Sequence, residues 1–160
     1  MKVSDIIRTN GVRLKESSTL IEMARLMASS DEKIFPVLND KGEITGIVNP
    51  KSILKMMLPG YFDILYNFNF IDDFEPLENI FCEQLDKLFN VNIIIVKDIM
   101  KTKLFKIDKD ISILKAMATL VSNNIEFLPV VDDKIYIGYV TEKDIIKYTL
   151  TNLKTNICRM

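Results

Sequence analysis

Residues 127–148 read FLPVVDDKIYIGYVTEKDIIKY, and residues 34–56 read IFPVLNDKGEITGIVNPKSILKM. The two stretches are copies of one unit. Pro36–Val37 recurs as Pro129–Val130, Asp40 as Asp133, and Gly46, Val48, Lys51, Ile53 and Lys55 as Gly138, Val140, Lys143, Ile145 and Lys147. Upstream, Val3, Asp5 and Ile6 recur as Val96, Asp98 and Ile99, with an offset of 93 residues as far as Asp40 and 92 from Gly46. One single-residue change in a loop accounts for that register. An internal repeat sets architecture before any single residue is interpreted. A copy of about 55 residues is near the lower size limit for burying a core, so the two are expected to pack on each other. The functional surface is expected where they meet.

Each copy reads as strand, helix, strand, strand, helix. In the second, Leu104, Phe105 and Ile107 form a short extended segment. Ile113, Ala116, Met117, Leu120 and Val121 then recur at helical spacing, as do Leu20, Met23, Ala24 and Met27 in the first. Two β-rich runs follow, Phe127–Val131 and Tyr136–Val140, matched by Ile34–Leu38 and Ile44–Val48, with turn-like residues between them. Pro36 and Pro129 cannot donate to a ladder, which predicts a sheet edge or bend at each. Asn49 caps a helix beginning at Pro50, and Thr141 caps its counterpart. The fold class is therefore α+β, with two pseudo-symmetric β-α-β-β-α repeats at residues 1–57 and 91–151, a helical insert at 58–90 and a tail at 152–160.

Composition narrows the chemistry. With 48% hydrophobic and 27% charged residues, this is not a disordered chain. No run of about 18 apolar residues occurs and the first residues have no apolar signal core, which points to a cytoplasmic protein. Two cysteines and no histidine leave too few ligands for a structural zinc site. The missing histidine also removes the commonest general base near neutral pH, so catalysis is not expected. A net charge of −1 provides no field for nucleic acid.

The insert differs in character from both copies. Residues 59–90 hold eight of the fourteen aromatic side chains and seven acidic residues against Lys87 alone. Leu77, Ile80, Phe81, Leu85, Leu88 and Phe89 share a helical face, and Tyr61, Ile64, Leu65 and Phe68 suggest a shorter helix before it, joined by the loop Asn69–Pro76. Two readings stay open: the aromatics enlarge the core, or they form a subunit or partner interface. The acidity argues against nucleic acid or an anionic membrane as that partner.

The tract Gly138–Asp144 carries the most chemistry. A strand runs into a helix start whose first N–H groups are unsatisfied, a natural seat for phosphate. The Thr141 hydroxyl is placed to share it, and the Asp144 carboxylate to accept from a pair of ribose hydroxyls. The same spacing is also nearly a capping box, which needs no ligand. Both readings stand on sequence alone.

The tandem units, the Pro–Val strand and the pattern glycine, two apolar residues, Thr, two residues, Asp resemble a pair of CBS domains, a Bateman module. The resemblance covers residues 1–57 and 91–151. It implies a stand-alone sensor that binds an adenosine-containing ligand such as AMP, ADP or ATP between the repeats, and it implies a homodimer. Carried over to this chain, Asp144 takes the ribose and Thr141 the phosphate, while Thr102, Leu104, Phe127 and Pro129 line the base pocket. Ile34 and Phe127 stand where the family often has a basic residue, which leaves phosphate charge to the helix start, Lys101 or Lys143. Copy one has Asn49 and Ser52 in place of Thr and Asp, so one good site, in copy two, is expected. The competing reading is a ligand-free scaffold recruiting a partner through residues 59–90. An enzyme ranks third, because neither a nucleophile–base pair nor a P-loop is present.

Overall fold

The computed structural model describes residues 1–58, 75–90 and 94–157. Among these, copy one contains β1 (Leu14–Lys15), α1 (Leu20–Ala28), β2 (Phe35–Leu38), β3 (Ile44–Val48) and α2 (Pro50–Met57). A long helix α3 (Glu75–Asn90) and a one-turn helix α4 (Val96–Ile99) follow. Copy two contains β4 (Ile107–Asp108), α5 (Ile113–Asn123), β5 (Phe127–Asp132), β6 (Ile135–Thr141) and α6 (Glu142–Ile157). The element order in each copy is the one its hydrophobic periodicity predicts. The last helix runs past residue 151 to Ile157, and α3 starts at Glu75, so Glu75 and Pro76 belong to a helix rather than to the predicted loop. The shorter helix expected at Tyr61–Phe68 lies outside the described residues.

Each copy forms one three-stranded sheet, with strand orders β1-β2-β3 and β4-β5-β6. The outer pair is parallel and the hairpin antiparallel. Both prolines therefore lie in the central strand rather than at an edge, and each stands one residue before an irregularity in the hairpin register, as the expected bend requires. They are tolerated because β1 reaches only Val37 and Leu38, and β4 only Val130 and Val131, so each proline stands just beyond the end of the parallel ladder. The offset change has an equally local cause. The first hairpin pairs Leu38 with Ile44 and turns through Gly42 at φ 79°, whereas the second pairs Asp132 with Ile135 through Asp133 and Lys134, both at positive φ.

The helices pack by one face each. In α1, Leu20, Met23 and Met27 are buried, and the Thr19–Glu22 capping box fixes the start. In α5, Ile113, Ala116 and Leu120 are buried, but Met117 and Val121 of the predicted stripe face outward, Val121 with 72% exposure. Leu88 and Phe89 of α3 pack on the core of copy one, as the core-enlarging reading of the insert requires of that end.

The copies are joined by an exchange. Val3, from a 3₁₀ turn at Val3–Asp5 that opens copy one, is fully buried in the core of copy two. Val96, from α4 near the start of copy two, is fully buried in the core of copy one. Their backbones are fixed across the boundary: Val3 N–H donates to Ile111 O at 2.9 Å and Val96 N–H to Ser18 O at 2.8 Å. Farther along, Arg8 pairs both ways with Tyr139, and its repeat counterpart Lys101 pairs both ways with Ile47.

This crossing explains the repeated glycine. A Cβ on Gly138 would lie 2.2 Å from the Arg8 carbonyl oxygen, and one on Gly46 would lie 2.4 Å from Met100 Sδ. The first obstacle is backbone and the second a flexible side chain. Gly138→Ala is therefore expected to destabilise by about 1–3 kcal/mol, and Gly46→Ala by less, with chemical denaturation as the measurement. Equal loss at the two positions would contradict the close approach of Arg8.

Candidate functional site

The end of β6 and the start of α6 hold the residues that the sequence singles out. Strand pairing brings Phe127 opposite Thr141 and Pro129 opposite Tyr139. Phe127 and Tyr139 stack with ring centroids 4.8 Å apart and planes at 28°. Beside them opens a cleft of about 370 Å³. Copy two lines it with Glu126, Phe127, Tyr139, Thr141, Glu142 and Lys143, and copy one with Arg8 and the run Asp31–Ile34. Both copies thus build one space, as expected of the surface where they meet.

At its inner edge Asp144 is held from two sides. Its Oδ2 accepts from the Thr141 backbone N–H at 3.0 Å and the Thr141 hydroxyl at 2.6 Å, which is the capping arrangement. Its Oδ1 accepts from Arg8 Nε at 2.6 Å, and the Asp144 side chain is only 10% exposed. The carboxylate raises the Arg8 guanidinium above its ordinary value, chiefly through that hydrogen bond. Burial, and then the charge of Glu32, push the Tyr139 phenol upward. Glu32 is itself fixed, accepting the Val12 N–H at 3.2 Å.

Copy one caps its helix differently. There Asn49 Oδ1 accepts from the Ser52 backbone N–H at 3.0 Å and the Ser52 hydroxyl at 3.1 Å, so no carboxylate stands at this helix start. Lys101 is the counterpart of Arg8, and its backbone lies against Ile47 at this end of the molecule.

Of the residues singled out from sequence, Phe127, Thr141 and Lys143 line the cleft, and Asp144 stands next to Thr141. Pro129 is buried in β5 and does not line it. Lys101, Thr102 and Leu104 are not brought to this cleft either. The family resemblance puts them beside Thr141, whereas the exchange pairs the Lys101 backbone with Ile47 of β3 and the Arg8 backbone with Tyr139 of β6. Arg8 and Tyr139 were the residues sequence reasoning missed. The repeat already matched Arg8 to Lys101, and the alternation along β6 puts Tyr139 on the face of Thr141.

Both copies match known proteins. Residues 3–59 and 96–151 each match the CBS domain family model. The chain therefore belongs to the CBS domain family and holds two of its domains in tandem, with a helical segment between them. It is similar to the uncharacterized protein MJ1426 of Methanocaldococcus jannaschii, being 32% identical over 160 residues that cover 92% of this chain and 90% of that one. Among solved structures it is similar in fold to CBSX2 in complex with AMP, with a TM-score of 0.65, 19% identity, and 94% and 96% of the two chains covered. It also resembles the CBS domain pair of protein MJ0100 in complex with 5′-methylthioadenosine and S-adenosyl-L-methionine, with a TM-score of 0.63, 18% identity, and 95% and 98% covered. No helix among the described residues is long and apolar enough to cross a membrane.

The two helix starts differ in what their caps hold. Asp144→Ala removes a cap acceptor and an ion-pair partner, and is expected to cost about 1–2 kcal/mol. Ser52→Ala leaves the Asn49 side chain still accepting the backbone N–H and is expected to cost less than about 0.5 kcal/mol. Urea midpoints of the two variants measure the difference.

Proposed function

We propose that this CBS pair is a non-catalytic regulatory module that takes an adenosine-containing ligand of the AMP, ADP or ATP class between its repeats, chiefly through copy two. The observation that carries this reading is the cleft itself. It sets an aromatic stack and a helix start bearing a hydroxyl around one space of about 370 Å³, with the Asp144 carboxylate bonded to two of its lining residues, Arg8 and Thr141. That volume is within the range of small-molecule sites. The Phe127–Tyr139 pair offers an apolar surface for a base, Asp144 two oxygens for a ribose diol, and Thr141 with the first N–H groups of α6 a seat for phosphate. The AMP complex of CBSX2 and the 5′-methylthioadenosine and S-adenosyl-L-methionine complex of MJ0100 support the ligand class.

Regulation follows from the exchange. A ligand acts only through different affinities for two arrangements of the repeats, and this cleft draws its walls from both. In this reading the protein is cytoplasmic and self-associates. Leu114 and Val121 on α5, with Ile146 and Leu150 on the neighbouring α6, are more than half exposed and form an apolar surface suited to a second copy. The insert at residues 59–90 remains the alternative surface for a partner, although Leu88 and Phe89 are committed to the core of copy one.

Isothermal titration with AMP, ADP, ATP, S-adenosylmethionine and cyclic di-AMP tests the reading. At least one is expected to bind, with affinity lost in Asp144→Ala and kept in Ser52→Ala. If none binds and Asp144→Ala alters stability alone, the sensor reading fails and the scaffold takes its place. Sedimentation of Val121→Asp addresses assembly separately. A shift from dimer to monomer is expected, and an unchanged dimer would move the interface elsewhere.

A further inference from the structure

We infer that Arg8 sets the phosphate preference of the copy-two cleft by exchanging its counter-ion from Asp144 to a ligand phosphate. This rests on the adenosyl-ligand reading and adds to it the residue that distinguishes a nucleotide from its nucleoside.

Three observations carry it. First, the Arg8 backbone is immobilised at the cleft by reciprocal hydrogen bonds with Tyr139 at 2.9 and 3.0 Å, while its side chain lines the cleft and remains 49% exposed. The guanidinium can turn without moving the chain. Second, Arg8 Nε occupies Asp144 Oδ1 and Thr141 occupies Oδ2. A ribose diol donating to both carboxylate oxygens therefore competes with Arg8 for Oδ1. Third, apart from Arg8 the charged residues of the lining are four carboxylates against Lys33 and Lys143. That wall repels a phosphate, and a guanidinium released from Asp144 supplies the bidentate donor geometry that phosphate accepts best.

The two halves of the exchange have opposite signs for different ligands. Adenosine has a diol and no phosphate, so it must displace Arg8 with nothing to receive it. AMP displaces Arg8 and re-engages it. Removing the guanidinium should then help the first ligand and harm the second, which a merely structural role for Arg8 would not do.

The experiment is titration of the full chain and of Arg8→Gln with adenosine and with AMP, with melting curves to confirm folding. Arg8→Gln is expected to bind adenosine about 2- to 5-fold tighter, since an ion pair whose guanidinium is half exposed no longer opposes it. It is expected to bind AMP about tenfold or more weaker, through loss of a charged hydrogen bond. Arg8→Lys keeps the charge without the planar fork, and its AMP-to-adenosine affinity ratio should lie between those of the wild type and Arg8→Gln. Parallel weakening of both ligands, or no change in either, overturns the proposal. If the wild type binds S-adenosylmethionine but neither AMP nor adenosine, the Arg8 proposal falls while the adenosyl reading stands. If it binds none of these nor ADP, ATP or cyclic di-AMP, both fall.

Discussion

The structure depends on a reciprocal exchange of two short segments. Val3 completes the core of copy two and Val96 the core of copy one, each with no exposed surface. Burying a valine contributes on the order of 1.5–3 kcal/mol, and here each contribution is made to the other copy. Neither copy has its full core alone. The paired backbones at Arg8–Tyr139 and Lys101–Ile47 extend the exchange along both sheets, and at the copy-two end the crossing residue Arg8 also becomes part of the cleft wall.

From that constraint the signature glycine acquires a mechanical meaning. Gly138 lies under the crossing chain, where a side chain would meet the Arg8 carbonyl. Three residues later the strand ends at Thr141 and α6 begins at Glu142, so the segment that requires the glycine also delivers a cation to the helix start. Fold and site share the same few residues. The two-fold symmetry is nevertheless broken in chemistry: Asp144 meets Arg8 at one end, and Ser52 leaves Lys101 without an equivalent carboxylate at the other.

The element order was legible because it rests on local signals. Helical spacing in Leu20–Met27 and Ile113–Leu120, the two hairpins and the caps at Asn49 and Thr141 all reappear in the structure. What sequence could not give was any feature that depends on which copy a segment joins. The family resemblance places Thr102 and Leu104 in the base pocket and Lys101 beside the phosphate with Thr141, whereas the exchange takes the Lys101 backbone to Ile47. The prolines mark unpaired positions at a bend rather than an edge: the neighbouring strand is too short to reach them, and the hairpin register shifts one residue later. Met117 and Val121 looked like core because helical spacing identifies an apolar face without saying how wide the covering layer is.

The proposed function requires that two copies of one fold provide a single chemically complete site, at the start of α6. A crystal structure of the protein grown with saturating AMP tests it most directly. The account predicts density for one ligand per chain, its ribose on Asp144 and its base against Phe127 and Tyr139. Density at the Asn49–Ser52 end instead, or equal density at both ends, would contradict it.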